Sequence, residues 1–383
     1  MNRSMWRASA KPHPRKFVTT SLRATFRPEP FTLPPSTLEE VMGRRHLPAL
    51  DGLRWVAVLV VMVYHFGWKA VPGDLGVSGF FVLSGFLITW LLLREHERTG
   101  TISLRDFYVR RTLRIFPAYY AFVAICVGLD LLRGDERVQP VILPALTYTV
   151  NYYNALHGHP TNSMTHAWSL AVEEQFYLLW PFLFMLAIRF GRRGVARVLV
   201  GAVVAVLVWR AWLFLGNTVG EAYVYNAFDT RFDNLAVGCL LAVVLTAPAL
   251  ARRLGALPSP AWAPLVTVAL LVTSRSLISD RWHYSAGFTV DALLVAVLII
   301  QLLTLHEHPA WRWLDHPTVK YLGLLSYPLY LYHGYGISIG RRLPLAEPLQ
   351  LAASIGLSVA IAAGSYHLLE QRFLRLKDRL QTR

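Results

Sequence analysis

Ten apolar stretches run along the chain, separated by polar and mostly basic segments. They fall near residues 50–68, 75–93, 116–132, 170–189, 197–215, 232–247, 262–278, 286–304, 322–340 and 349–367. A helix rises 1.5 Å per residue, so about 20 residues cross a hydrocarbon core of ~30 Å. The pattern therefore predicts an all-α, polytopic integral membrane protein with about ten transmembrane helices. Trp, Tyr and Phe gather at many of the stretch ends, as an interfacial belt requires. Residues 140–154 are apolar but short and carry Pro140 and Pro144. That stretch reads as re-entrant or interfacial.

Composition agrees with the pattern. Of 383 residues, 54% are hydrophobic and only 16% charged, which excludes an ordinary soluble globule. The net charge of +15 raises nucleic acid as a partner. The basic residues, however, lie in short segments between apolar runs, where they fix membrane orientation, so no nucleic-acid partner is expected. Placing the amino terminus inside gives roughly 28 Lys and Arg on the inner side against roughly 8 outside. Both termini are thus expected on the cytoplasmic face of the cell's inner (plasma) membrane. Residues 1–45 read as a disordered basic tail, 46–376 as the membrane domain, and 377–383 as a second basic tail. Cys126 and Cys239 both sit in apolar runs and offer neither a disulfide framework nor metal-ligand spacing, so no metal is expected.

The polar residues inside this apolar pattern are the candidates for chemistry. The first stretch, LDGLRWVAVLVVMVYHFGW, carries Asp51, Arg54 and His65. Eleven helical steps bring Arg54 and His65 to within about 20° of one face and some 16 Å apart along the axis. Arg in a membrane helix costs about 2.5–3.5 kcal/mol on the insertion scale, so a polar stripe points to a polar interior or water-filled path. The alternative is that Arg54 snorkels to the headgroups and His65 sits at the far interface.

After the second stretch, FYVRRTLRIFP places Arg110, Arg111 and Arg114 within one helical turn. Like charges at i,i+3 and i,i+4 repel, and a multivalent anion would relieve them, since guanidinium forks match phosphate oxygens. Anchoring to anionic headgroups is the alternative. The run GVSGFFVLSGFLIT holds small residues suited to close helix packing, with the first helix as the expected partner. WSLAVEEQFY brings Ser169, Glu173 and Glu174 into the first turns of the fourth helix. Ser169 suits an N-cap there, and the carboxylates suit either the helix dipole or the outer mouth of a cavity. Two further groups are Arg231 with Asp233 at the outer start of the sixth helix, and Tyr327, Tyr330 and His333 in the ninth, where Pro328 should distort the hydrogen-bond ladder.

Taken in order, these stretches resemble the membrane-bound acyltransferase 3 family from about residue 47 to 376. LPALDGLRWVAVLVVMVYH looks like the family's opening helix, with its Arg-x10-His spacing at Arg54 and His65. The Arg-x-x-Arg pair falls at Arg111 and Arg114, and the Ser-Leu-x-x-Glu motif at Ser169, Leu170 and Glu173. RFDNLAVG, SYPLYLYH and YHLLEQRF also fit. The sequence resembles the stand-alone type without a fused esterase-like domain. The resemblance implies an O-acyltransferase of surface glycans, lipid-linked saccharides or glycosylated metabolites. Its donor substrate would be acyl-CoA, normally acetyl-CoA, taken from the cytoplasmic side, with no bound cofactor.

On that reading Arg110, Arg111 and Arg114 bind the CoA phosphates, and His65, Arg54 and Glu173 carry the catalysis. His65 would be the general base, with Glu173 orienting it or the acceptor; a covalent acyl-His relay is the variant. Asp51, Ser169, Glu174, Arg231, Asp233, Tyr327, Tyr330 and His333 would line the cavity or the acceptor site. A transporter or flippase for a lipid-linked sugar or small solute would also use intramembrane charge and broken helices. A neutral-solute transporter has no need of the Arg-x-x-Arg cluster, and no internal repeat is visible.

Overall fold

The structure is a computed structural model that describes residues 36–381, apart from 258 and 277; these residues form helices and connecting turns, with no strand among them. The longer helices are α1 (Leu50–Phe66), α2 (Gly73–Thr99), α3 (Leu104–Leu132), α4 (Trp168–Ile188), α5 (Gly191–Leu215), α6 (Phe228–Leu245), α7 (Ala263–Ser276), α8 (Phe288–Thr304), α9 (Ser326–Gly340) and α10 (Glu347–Ser365). A helix therefore occupies each of the ten predicted stretches. Among the described residues, six helical segments are long and apolar enough to cross a membrane, and Glu221–Leu245 with Pro248–Gly255, bent by 96°, makes a seventh if the bent pair is one span. Six or seven of the ten predicted crossings thus meet this test of length and composition, and α1, α7 and α9, with only 17, 14 and 15 residues, fall short of it.

The boundaries have local causes. Helix α3 begins at residue 104, well before its apolar run, because Ser103 Oγ accepts from the backbone N–H of Asp106 and caps it. The arginine cluster thus lies on a helix continuous with the membrane segment. The ninth stretch breaks at Leu325, between the short helix Pro317–Leu324 and α9. Pro328 then falls in the first turn of α9, where no helical partner for its missing N–H is needed. Residues 140–154 form two short helices, Gln139–Leu146 and Val150–Leu156, each too short to cross. The predicted disordered tail falls largely on residues 1–35, outside the described residues. Within its remainder, Leu38–Gly43 is a helix closed by a Thr37–Glu40 capping box.

Helix α2 is the centre of the bundle. It packs most extensively on α6 and next on α1. The small residues of α2 make both contacts possible. A Cβ on Gly76 would lie 2.4 Å from the carbonyl oxygen of Ala57 in α1, and one on Gly85 would lie 2.0 Å from that of Leu235 in α6. Gly238 of α6 faces Val82 in the same way. The expected packing of α2 on α1 is present, and the second glycine step serves α6. Helix α5 lies at the periphery, with Val198, Val204, Val208 and Trp212 exposed on the face that lipid would cover.

Candidate active site

Two cavities lie inside the bundle. The smaller, about 80 Å³, is walled by Arg54 of α1, Ser84 of α2, Arg111 and Arg114 of α3, and Ser169, Glu173, Glu174 and Tyr177 of α4, with Tyr327 and Tyr330 of α9. Glu173 is held in it. Its Oε1 accepts from Ser84 Oγ at 2.8 Å and its Oε2 from the Tyr177 hydroxyl at 3.1 Å. The Arg111 guanidinium lies over the Tyr177 ring, 5.0 Å from its centre. Arg54 has one ionic partner, Asp51, at 3.5 Å. Arg111 and Arg114 have none among the described residues, so their forks are available to an anion.

The larger cavity, about 1150 Å³, is walled by His65, Asp74, His159, His166, Arg275 and His333, among others. Here α1 and α9 meet. Nε2 of His333 is 2.9 Å from Nδ1 of His65, and the two rings stack with centres 4.9 Å apart. His333 Nδ1 lies 2.7 Å from the carbonyl oxygen of Tyr330, one turn back in α9. A carbonyl can only accept, so Nδ1 of neutral His333 carries the proton and Nε2 accepts. Nδ1 of His65 must then be the donor, which leaves its Nε2 with a free lone pair in the cavity. His166 joins the group from the turn before α4. Its ring centre is 4.9 Å from that of His333, and its Nε2 donates to the Leu331 carbonyl at 3.1 Å.

The sequence-predicted residues therefore divide into three sets. Arg54, Arg111, Arg114, Ser169, Glu173, Glu174 and Tyr327 wall the small cavity. His65 and His333 wall the large one, and Tyr330 belongs to both. The remainder lie outside both. Arg110 turns away to pair with Glu95 at 3.2 Å. Asp51 bridges Arg54 and, at 3.3 Å, His46. Asp233 forms a buried ion pair with Arg210 at 2.9 Å, and both side chains are fully enclosed. Arg231 is equally enclosed, its guanidinium 3.7 Å from the centre of the Phe288 ring.

Two expectations change as a result. Glu173 does not orient His65: its partners are Ser84 and Tyr177, in the other cavity, because it lies on the turn of α4 that faces the arginines. Ser169 is not an N-cap either. A 3-10 turn, Thr165–Ala167, runs directly into α4, and Ser169 Oγ instead meets the Tyr330 hydroxyl at 2.6 Å. The sequence reading took Ser84 only for a packing residue and gave no role to Tyr177, His166 or Arg210. His166, three residues before Ser169, was the one with a legible signal: a histidine beside a polar motif at a helix entrance.

A family profile for an acyltransferase domain, acyltransferase 3, matches residues 47–367, most of the chain. The chain belongs to the acyltransferase 3 family. Among curated proteins it is 31% identical over 320 residues to O-acetyltransferase OatA of Staphylococcus aureus, covering 77% of this chain and 51% of that protein. It is 30% identical over 314 residues to peptidoglycan O-acetyltransferase OatA of Listeria monocytogenes, covering 76% and 49%. The chain thus spans about half the length of the curated relatives it matches. No solved structure matches it.

Proposed function

We propose that this acyltransferase moves an acyl group, acetyl in the first instance, from acyl-CoA to a hydroxyl of a saccharide. The observation that carries the reading is the directed hydrogen-bond chain from His65 through His333 to the Tyr330 carbonyl, which leaves His65 Nε2 unprotonated. A saccharide acceptor is supported by the Listeria relative, whose name specifies peptidoglycan. A CoA donor is supported by Arg111 and Arg114, two unpaired guanidinium groups on a basic helix, with Arg54 deeper in the same cavity.

In this mechanism the donor phosphates dock on Arg111 and Arg114, and Arg54 steers the thioester inward. The acceptor enters the large cavity. His65 Nε2 takes the hydroxyl proton as the oxygen attacks the thioester carbonyl. The C–O bond forms, the C–S bond breaks, and the thiolate takes up the proton that His65 received. The imidazolium formed in between keeps its Nδ1–H on His333, which stabilises it. Glu173, bonded to Ser84 and Tyr177, lies beside the three arginines and offsets part of their positive charge. With all ten helices crossing, the positive-inside bias supports a plasma-membrane topology with both termini and the arginine cluster cytoplasmic.

The test uses membranes containing the protein, labelled acetyl-CoA, and a saccharide and lipid-linked saccharide extract. Label should appear in a base-labile ester on a saccharide and be lost in His65→Ala and Arg111→Ala. Label that never leaves CoA, with no CoA binding by the folded protein, would overturn the reading and favour a transporter.

A further inference from the structure

Val77 and Tyr330 belong to the walls of both cavities, so they form the waist between them. Tyr330 is the larger, and only 5% of its surface is exposed. Its hydroxyl is 2.6 Å from Ser169 Oγ and 3.1 Å from the carbonyl oxygen of His166, to which it donates. Ser169 Oγ reaches the same carbonyl at 3.4 Å, so the two hydroxyls and the carbonyl form one closed group in which each proton has a partner. Both hydroxyl protons are therefore engaged, and neither points into a cavity. Phe80 of α2 meets the Tyr330 ring edge-on at 6.1 Å and backs it. The ring is latched at the boundary of the two cavities by polar bonds at its tip and an aromatic contact along its side.

The two cavities differ in what they can hold. The large one, about 1150 Å³, has room for far more water than the small one, about 80 Å³. A thioester held among the arginines therefore meets the water of the large cavity only across the waist. Water is a competing nucleophile at the same carbonyl. Its attack forms a C–O bond, breaks the C–S bond, and passes a proton to the leaving thiolate, giving the free acid and CoA thiol.

We propose that Tyr330, latched by Ser169 and the His166 carbonyl, is the residue that separates donor from cavity water and so sets the ratio of acyl transfer to thioester hydrolysis. This inference rests on the donor and acceptor assignment above. Tyr330 acts as a specificity-determining barrier, and the acyl group crosses when the ring swings aside with the acceptor in place of the water.

The experiment measures thiol release from acetyl-CoA by the full-length protein in detergent or nanodiscs, with and without saccharide acceptor, alongside ester formed. Tyr330→Ala should raise release without acceptor by about tenfold or more, a barrier change of about 1.4 kcal/mol. Val77→Ala, at the same waist, should raise it in the same direction. Tyr330→Phe keeps the ring, loses the latch, and should leak less than Tyr330→Ala. Tyr119→Ala is the control: Tyr119 is buried but walls neither cavity, and it should not leak. Unchanged release in both Tyr330→Ala and Val77→Ala, in monodisperse protein that still binds CoA, would overturn the barrier while leaving the transfer reaction standing. A wild-type protein that binds CoA but never forms ester would instead overturn the functional reading and the barrier with it.

Discussion

His333 accepts a hydrogen bond from His65 across the α1–α9 contact, Nε2 to Nδ1 at 2.9 Å. The direction of that bond follows from the next one, His333 Nδ1 to the Tyr330 carbonyl, because a carbonyl cannot donate. A residue in the ninth helix thus sets which nitrogen of a first-helix histidine is free. His333→Phe should preserve the ring packing but remove the acceptor, letting His65 adopt the other tautomer. The expected result is a fall in kcat of about 10²-fold or more, the scale of a general-base contribution, with donor KM little changed. His333→Asn, whose side-chain oxygen can still accept, should recover part of the rate. Steady-state kinetics on the three proteins checks this.

Arg110 and Arg111 are neighbours in sequence and differ in surroundings. Arg111 walls the small cavity, while Arg110 is bonded to Glu95. Arg111→Ala and Arg114→Ala should therefore raise donor KM by about tenfold or more each, the loss of a charge-assisted hydrogen bond worth about 1.5–3 kcal/mol. Arg110→Ala should change KM far less. Calorimetric titration of CoA into the purified proteins would separate the two cases.

The Arg210–Asp233 pair is a matter of stability. Arg210 also donates to the Thr230 and Ser285 carbonyls at 2.7 and 2.8 Å, tying α5, α6 and the turn that leads into α8 together. Removing one partner leaves a buried charge without compensation, at a cost of about 3–5 kcal/mol. Asp233→Ala and Arg210→Ala should lower the thermal unfolding midpoint in detergent strongly, and activity should be lost through unfolding. The double variant Arg210→Met with Asp233→Leu should be less damaged than either single change.

The α2–α6 contact should be similarly intolerant. A methyl on Gly85 or Gly238 would lie 2.0 or 2.1 Å from a facing carbonyl oxygen, so the helices must part. Each Gly→Ala change should cost about 1–3 kcal/mol, read as a lower unfolding midpoint. Gly79→Ala has its nearest neighbour at 3.8 Å and should be tolerated.

The helices were legible in the sequence because lipid solvation demands long apolar runs, and each of the ten runs is helical here. The number of crossings was less so: α7 and α9 are short, and only their packing partners decide how such helices sit. Candidate residues were legible as polar interruptions of apolar runs, which is how Arg54, His65, Arg111, Glu173 and His333 were found. Their grouping was not. Arg54 and His65 share a face of α1, yet 16 Å of helix carries them into separate cavities, and the partner of His65 comes from 268 residues away. Arg231 and Asp233 gave the same polar signal as the site residues but are enclosed among Arg210, Thr289 and Phe288. A single sequence cannot distinguish a buried structural charge from a cavity-lining one, because both interrupt an apolar helix in the same way.

The central claim is that His65 Nε2 is the base for acyl transfer. The most direct measurement is ester formation by purified His65→Gln protein, with acetyl-CoA and a saccharide that the wild type acetylates, run beside CoA titration. The account predicts CoA binding within about twofold of wild type and ester formation reduced by at least about 10²-fold, the scale of lost general-base catalysis. Full ester formation by His65→Gln with normal CoA binding would contradict it.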